Sequence, residues 1–92
     1  MADELVVATV VSAEQQPGAR APALRLTMDL GTYGTAETVM PAGTYDAEEL
    51  VGTQMLCRRE AEGAVIVAAR SHASGDVPLR PATEVEPGTL VA

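Results

Sequence analysis

Residues Gln15–Gly31 read QQPGARAPALRLTMDLG, and this stretch decides the fold. From Ala23 to Leu30 the apolar Leu24, Leu26, Met28 and Leu30 alternate with Arg25, Thr27 and Asp29. A period of two marks a half-buried strand with its apolar side inward. The preceding Gln15–Pro22 is too long and proline-rich for the tight Asn-Gly or Asp-Gly turn of a plain hairpin. Pro17 and Pro22 each fix φ at about −65° and push the residue before them toward extended backbone. The segment therefore reads as a stiffened loop with Arg20 at its tip.

On either side the chain is rich in strands. LVVATVVSA (Leu5–Ala13) is β-branched and reads as a long first strand. GTYGT (Gly31–Thr35) is a turn, and Ala36–Met40 is a third strand stopped by Pro41. Asp46 is a helix N-cap followed by Glu48 and Glu49, whose carboxylates suit the positive end of a helix, and Gly52 ends the turn. Thr53–Arg59 and Ala64–Arg70 read as two further strands around REAEGA. SHASGD (Ser71–Asp76) is a loop, and Val77–Arg80 with EVEPGTLVA (Glu84–Ala92) forms a tail of two short strands around a Pro-Gly turn. This order predicts an all-β fold over residues 1–92 as a single domain. The architecture expected is a five-stranded Greek-key OB-fold barrel, with one short helix between strands three and four and a β-rich C-terminal tail.

Composition narrows the function. Thirteen acids face six arginines, lysine is absent, and the net charge is −7. Such a field repels polyphosphates overall and disfavours non-specific nucleic-acid binding. Lack of Lys, Phe and Trp, with many Ala and Val, fits either a GC-rich genome or a salt-adapted, halophilic proteome. A lone Cys57 and a lone His72 exclude an internal disulfide and ordinary zinc spacing, so neither metal nor cofactor is expected. Cys57, in QMLC, reads as a buried small hydrophobe, and His72 as a solvated loop side chain. No stretch approaches the ~20 apolar residues of a membrane span, and the opening Met-Ala-Asp-Glu is not a signal peptide, so a soluble cytoplasmic protein is expected.

Enzymatic readings are poor. DAEE (Asp46–Glu49) and EAE (Glu60–Glu62) pair carboxylates, but glycoside chemistry needs two carboxyls held across a cleft, and nothing marks one. GTYGT lacks the Lys-Ser/Thr of a phosphate loop.

Three segments in order resemble the free-standing tRNA-binding-domain proteins, including the CsaA-type secretion chaperones. In the opening stretch Pro17, Ala19, Arg20, Pro22, Ala23, Leu24, Arg25, Leu26, Asp29 and Gly31 fit the family pattern without a gap. YDAEELVG (Tyr45–Gly52) is similar to the family's short helix, and LRP…PGTLVA from Leu79 to its C-terminal ending. The resemblance implies an OB-fold and a homodimer built largely from terminal segments. The chain also departs from the family. AETVMPAG (Ala36–Gly43) carries only Thr38 as a hydroxyl before Pro41, where the family is Ser/Ala-rich. The loop after the fourth strand is about nine residues shorter than the family's, well inside the usual range of short connections. Gly63-Ala64 replaces a Ser-Glu pair.

Arg20, Arg25, Arg58 and Arg59 are the cations nearest the loops and strand face that OB-folds use for ligands. They read either as a ligand site or as solvated or paired with Asp29, Glu37, Glu60 and Glu62. Thr38 and Met40 would face the cleft if their register matches the family's, with a core methionine as the alternative. Tyr33 and Tyr45 are the only rings, a thin platform for base stacking, and Tyr45 reads as a structural plug. The leading expectation is non-enzymatic binding of tRNA or other structured RNA as a homodimer. Chaperone-like binding of extended preprotein peptides is the second, and an interaction domain that has lost the ancestral site is the third.

Overall fold

The first strand, β1 (Leu5–Gln15), is the spine of the molecule and pairs with a different neighbour along each half. Its second half, Thr9–Gln15, runs antiparallel to β2 (Ala23–Asp29), and its first half, Leu5–Thr9, pairs with β4 (Gln54–Glu60). Thr9 belongs to both pairings, and just after it the β1–β2 register shifts between Val10 and Ser12, where Val11 is extruded and 53% exposed. A bulge bends a strand and raises its twist, and here it lets one strand serve both sides of a barrel. The computed structural model describes residues 4–18, 20–43, 45–61 and 63–91.

After β2 comes a single 3-10 turn, Gly31–Tyr33, and then β3 (Thr35–Pro41), paired with β2 throughout. The helix α1 (Ala47–Leu50) begins at Asp46, the N-cap its sequence predicts, and the Asp46 N–H donates to the Glu49 carboxylate at 3.3 Å. After β4, a connection of two residues leads into β5 (Gly63–Ile66). The sheet order is β3-β2-β1-β4-β5, and β3 lies beside β5 without a ladder, so the five-stranded barrel is nearly closed. This is the expected OB-type arrangement, with the short helix between the third and fourth strands.

The alternation in β2 is realised in full: Leu24, Leu26, Met28 and, just beyond the strand, Leu30 are all buried. They pack with Val6, Ala8, Val10, Met40, Leu50, Met55, Cys57 and Ala64 into one core without an aromatic ring. Tyr45 packs on its edge, half-buried, as the plug reading anticipated.

Three expectations are corrected. Ala64–Arg70 is not one strand but β5 and then β6 (Ala68–Ser71), divided at Val67. There the Val67 N–H still donates to the Leu56 carbonyl, while the Val67 carbonyl accepts from Leu79, so the chain leaves the barrel and Leu79 takes its place beside β4. SHASGD is accordingly the turn of a hairpin between β6 and β7 (Gly75–Pro78) rather than an open loop. Among the described residues the tail forms no second strand; it makes one bridge, Leu90 to Val6.

That bridge has a specific seat. Before Thr9 the edge of β1 that faces β2 is left free, because β2 ends at Asp29, and the tail fills it. Val7 N–H donates to Thr89, Gly88 N–H to Val7, and Val91 N–H to Leu5, at 2.7 to 2.9 Å. Upstream, the buried Gln54 carboxamide clamps the tail by donating to the Val85 carbonyl at 2.7 Å and accepting from the Val85 N–H at 3.1 Å. It also donates to Thr9 Oγ1.

Candidate functional site

The loop between β1 and β2 keeps its position because both ends are tied to strands. Gln16 N–H donates to the Ala23 carbonyl at 2.9 Å, and Ala42 N–H to the Pro22 carbonyl at 3.0 Å. The second bond links this loop to the segment leading into α1. Between the two runs a groove of about 400 Å³, lined among others by Gln15, Gln16, Arg20, Leu24, Tyr45 and Asp46. Arg20 makes no ion pair among the described residues. Gln16 Oε1 is shut off from solvent and has no hydrogen-bond partner among the described residues.

The other three candidate arginines are engaged with carboxylates. Arg25 pairs across the strands with Glu14, and Arg58 with Glu60 two residues on, at 3.0 Å. Arg59 reaches Glu4 at 2.6 Å, its guanidinium 3.8 Å above the Tyr33 ring. Of the acids expected as partners only Glu60 serves; Asp29 instead accepts the Gly31 N–H at 2.8 Å. Glu62 lies outside the described residues.

The register also separates these arginines. Arg25 lies opposite Glu14 at one end of β1 and Arg58 opposite Leu5 at the other. Nine residues of strand at about 3.3 Å each put up to about 30 Å of chain between the two positions. Arg20 and Arg25 stand at one end of the barrel, Arg58 and Arg59 at the other.

Between them is the outer face of β2 and β3. Its cross-strand rows are Glu14–Arg25–Val39, Ser12–Thr27–Glu37 and Thr9–Asp29–Thr35. The face carries three carboxylates, Glu14, Asp29 and Glu37, against one guanidinium. Thr38 and Met40 belong to the opposite face. Met40 pairs with Leu24 and is only 5% exposed, so the core alternative describes its place, and half-buried Thr38 pairs with Leu26. Both line a slot of about 90 Å³ at the seam between β3 and β5, with Val65, Ile66 and Pro78.

Cys57 is fully buried, its Sγ 3.6 Å from Met28 Sδ, and burial pushes its thiol up from 9.0 to about 11. The unfolded chain releases this proton first as pH rises. Stability present below pH 9 is therefore lost on rising through about 11, by about 2 to 3 kcal/mol at ~1.4 kcal/mol per unit. Urea melts at pH 8, 9, 10 and 11 check this: the fall flattens in Cys57→Ala, and an equal fall in the variant refutes the assignment. His72 is exposed in the hairpin turn, and among the described residues no cluster of His, Cys, Asp and Glu could hold a metal ion.

The sequence singled out Arg20 as a candidate and did not single out Gln16 or Gln54. Gln16 had one available signal, a polar residue at the very end of a β-branched strand and before a proline. Gln54 had none.

No family model matches the chain, and no curated protein does. Solved structures do. The chaperone CsaA of Bacillus anthracis superposes with a TM-score of 0.84 at 29% identity, over 98% of this chain and 91% of that one. The CsaA chaperone protein of Picrophilus torridus gives 0.84 at 19% identity, over 98% and 92%. A MetRS related protein of Pyrococcus horikoshii gives 0.76 at 18%, over 98% and 90%. The two more distant likenesses show the fold, and all three are consistent with the family resemblance read from the sequence.

Proposed function

We propose, from a fold shared with CsaA chaperones, that this chain is a non-enzymatic binding module for extended polypeptide segments, working in the cytoplasm as a homodimer. The observation that carries the reading is the acidic outer face of β2 and β3, whose one guanidinium is already paired with Glu14. A surface of that sign repels phosphates and attracts basic segments. Exposed Val39, in the end row with Arg25 and Glu14, offers an apolar contact.

An extended peptide mixing leucine and lysine is expected to bind, with the affinity falling as salt rises. Transfer RNA is expected to show no binding that depends steeply on salt. Anisotropy titrations at several salt concentrations check both. Tight tRNA binding whose logarithm falls steeply with the logarithm of salt would favour RNA. That second reading rests on Arg20, which has no carboxylate partner among the described residues. Binding of neither would leave the third expectation, which the two-residue β4–β5 connection supports.

Support for the dimer comes from Leu5 and Val65, which flank Arg58 in one cross-strand row, and from Leu79 beside β4; all three are more than a third exposed. Light scattering at micromolar concentration should give twice the 9.5 kDa chain mass, and a monomer mass removes this part.

A further inference from the structure

We propose that the free edge of β6 takes an extended polypeptide segment by strand addition, with one apolar side chain of that segment in the slot between β3 and β5. The inference rests on the polypeptide-binding reading and names where and how the main chain is held.

Along a strand, the main-chain N–H and C=O of successive residues face alternate edges. Val67 uses both of its groups on the side of β4 and β7: its N–H donates to Leu56 and its carbonyl accepts from Leu79. Ala69 and Ser71 therefore turn theirs toward β7, while Ala68 and Arg70 turn theirs the other way. Pro78, opposite Ala68, agrees, since a residue without an N–H suits a position that makes no ladder bond. The edge carrying Ala68 and Arg70 continues the edge of β5 that lies beside β3. Next to Glu37 this seam is tight, and a Cβ on Gly63 would stand 3.6 Å from the Glu37 carbonyl oxygen. Beyond Val67 the chain has left the barrel. Among the described residues the outer groups of Ala68 and Arg70 have no backbone partner, and both residues are exposed.

Such an edge is a template for a further strand. Its two outward residues stand about 6.6 Å apart, each with a donor and an acceptor, and a second polypeptide strand repeats both at that interval. A phosphodiester backbone offers acceptors alone and would leave the Ala68 and Arg70 carbonyls unmet. The slot gives the side-chain pocket that strand addition uses for specificity. At about 90 Å³ it has room for one side chain, and Val39, Met40, Val65, Ile66 and Pro78 make its wall apolar. Exposed Glu37 on β3 and exposed Asp76 on β7 flank the path, so basic residues suit the two ends of the segment.

The test uses the full chain and the blocked peptide acetyl-Lys-Val-Leu-Val-Lys-amide, titrated by NMR. Amide shifts are expected at residues 38–40 and 65–71. Methylating the peptide nitrogens one at a time should weaken binding about tenfold at every second position and little between, since alternate N–H groups face β6. Arg70→Pro removes an outward N–H where an edge strand tolerates proline. It should bind the peptide about tenfold more weakly than Arg70→Ala, which keeps that N–H. The melting curves of the two variants should coincide closely. Equal affinities of the two variants overturn the β6 edge, and weakening at every methylated position or at none overturns strand addition. In either case the polypeptide-binding reading stands so long as the peptide binds. No binding to the wild type overturns both. If Arg70→Pro is a monomer in light scattering where Arg70→Ala and the wild type are dimers, a second copy covers the edge and the proposal falls.

Discussion

Gly31→Ala is expected to detach the tail and destabilise the protein by about 3 to 5 kcal/mol. Gly31 has φ +66°, and a Cβ built there would fall inside the contact radius of the Pro87 carbonyl oxygen. The left-handed backbone alone costs a side chain about 1 to 2 kcal/mol. The backbones of Gly31 and Pro87 must then part. Parting them loosens the three hydrogen bonds of Val7, Gly88 and Val91, each worth about 1 kcal/mol. In a domain of this size the loss corresponds to roughly 15 to 30 °C in melting temperature. Gly88→Ala should do nearly the same, because its Cβ would stand 2.5 Å from the Leu30 carbonyl oxygen. The double variant should cost much less than the sum, since both substitutions break one contact. Gly52→Ala is the control: φ is +87° with open space around, so only the conformational cost should appear. Urea melts of the four variants decide it, and an equal cost for Gly31→Ala and Gly52→Ala would refute the packing argument.

Leu26→Ala is expected to cost about 3 kcal/mol, toward the lower end of the range for buried leucines. Leu26 is fully buried, between Ala13 of β1 and Thr38 of β3 in the register. Neither neighbour is large enough to fill the space its side chain leaves. Met28, Met40 and Met55 belong to the same core, however, and a flexible thioether can move partway into a cavity. Val39→Ala on the exposed face of β3 should change stability by less than about 0.5 kcal/mol. Chemical denaturation measures both, and a Leu26→Ala cost below 1 kcal/mol would show a core far looser than its burial implies.

The elements that the sequence declared most clearly were those whose signals are local. Alternation placed Leu24, Leu26 and Met28 in the core without reference to any other strand. The short helix announced itself through Asp46, Glu49 and Gly52. The break at Val67 did not, because Ala64–Arg70 is uniformly strand-forming and the cause of the break is Leu79, twelve residues away. The inward placing of Met40 follows from its pairing with Leu24, a long-range fact that no local pattern contains. The candidate site was legible to a similar degree. Arg20 stood out on its proline-bounded loop. Arg59 looked available because its partner, Glu4, lies 55 positions earlier, and the acids close to it in sequence were the wrong ones.

The seat of the tail on β1 bears on how the protein is made. Leu5–Val7 emerge from the ribosome early, yet their free edge is filled by residues 88–91, more than eighty positions later. Pairings so distant in sequence close late and slow folding. During synthesis the nascent barrel therefore exposes an unpaired strand edge until residue 91 is free. Through that interval the edge can template pairing with another chain, so faithful folding favours rapid emergence of residues 88–91 or a companion that shields the edge.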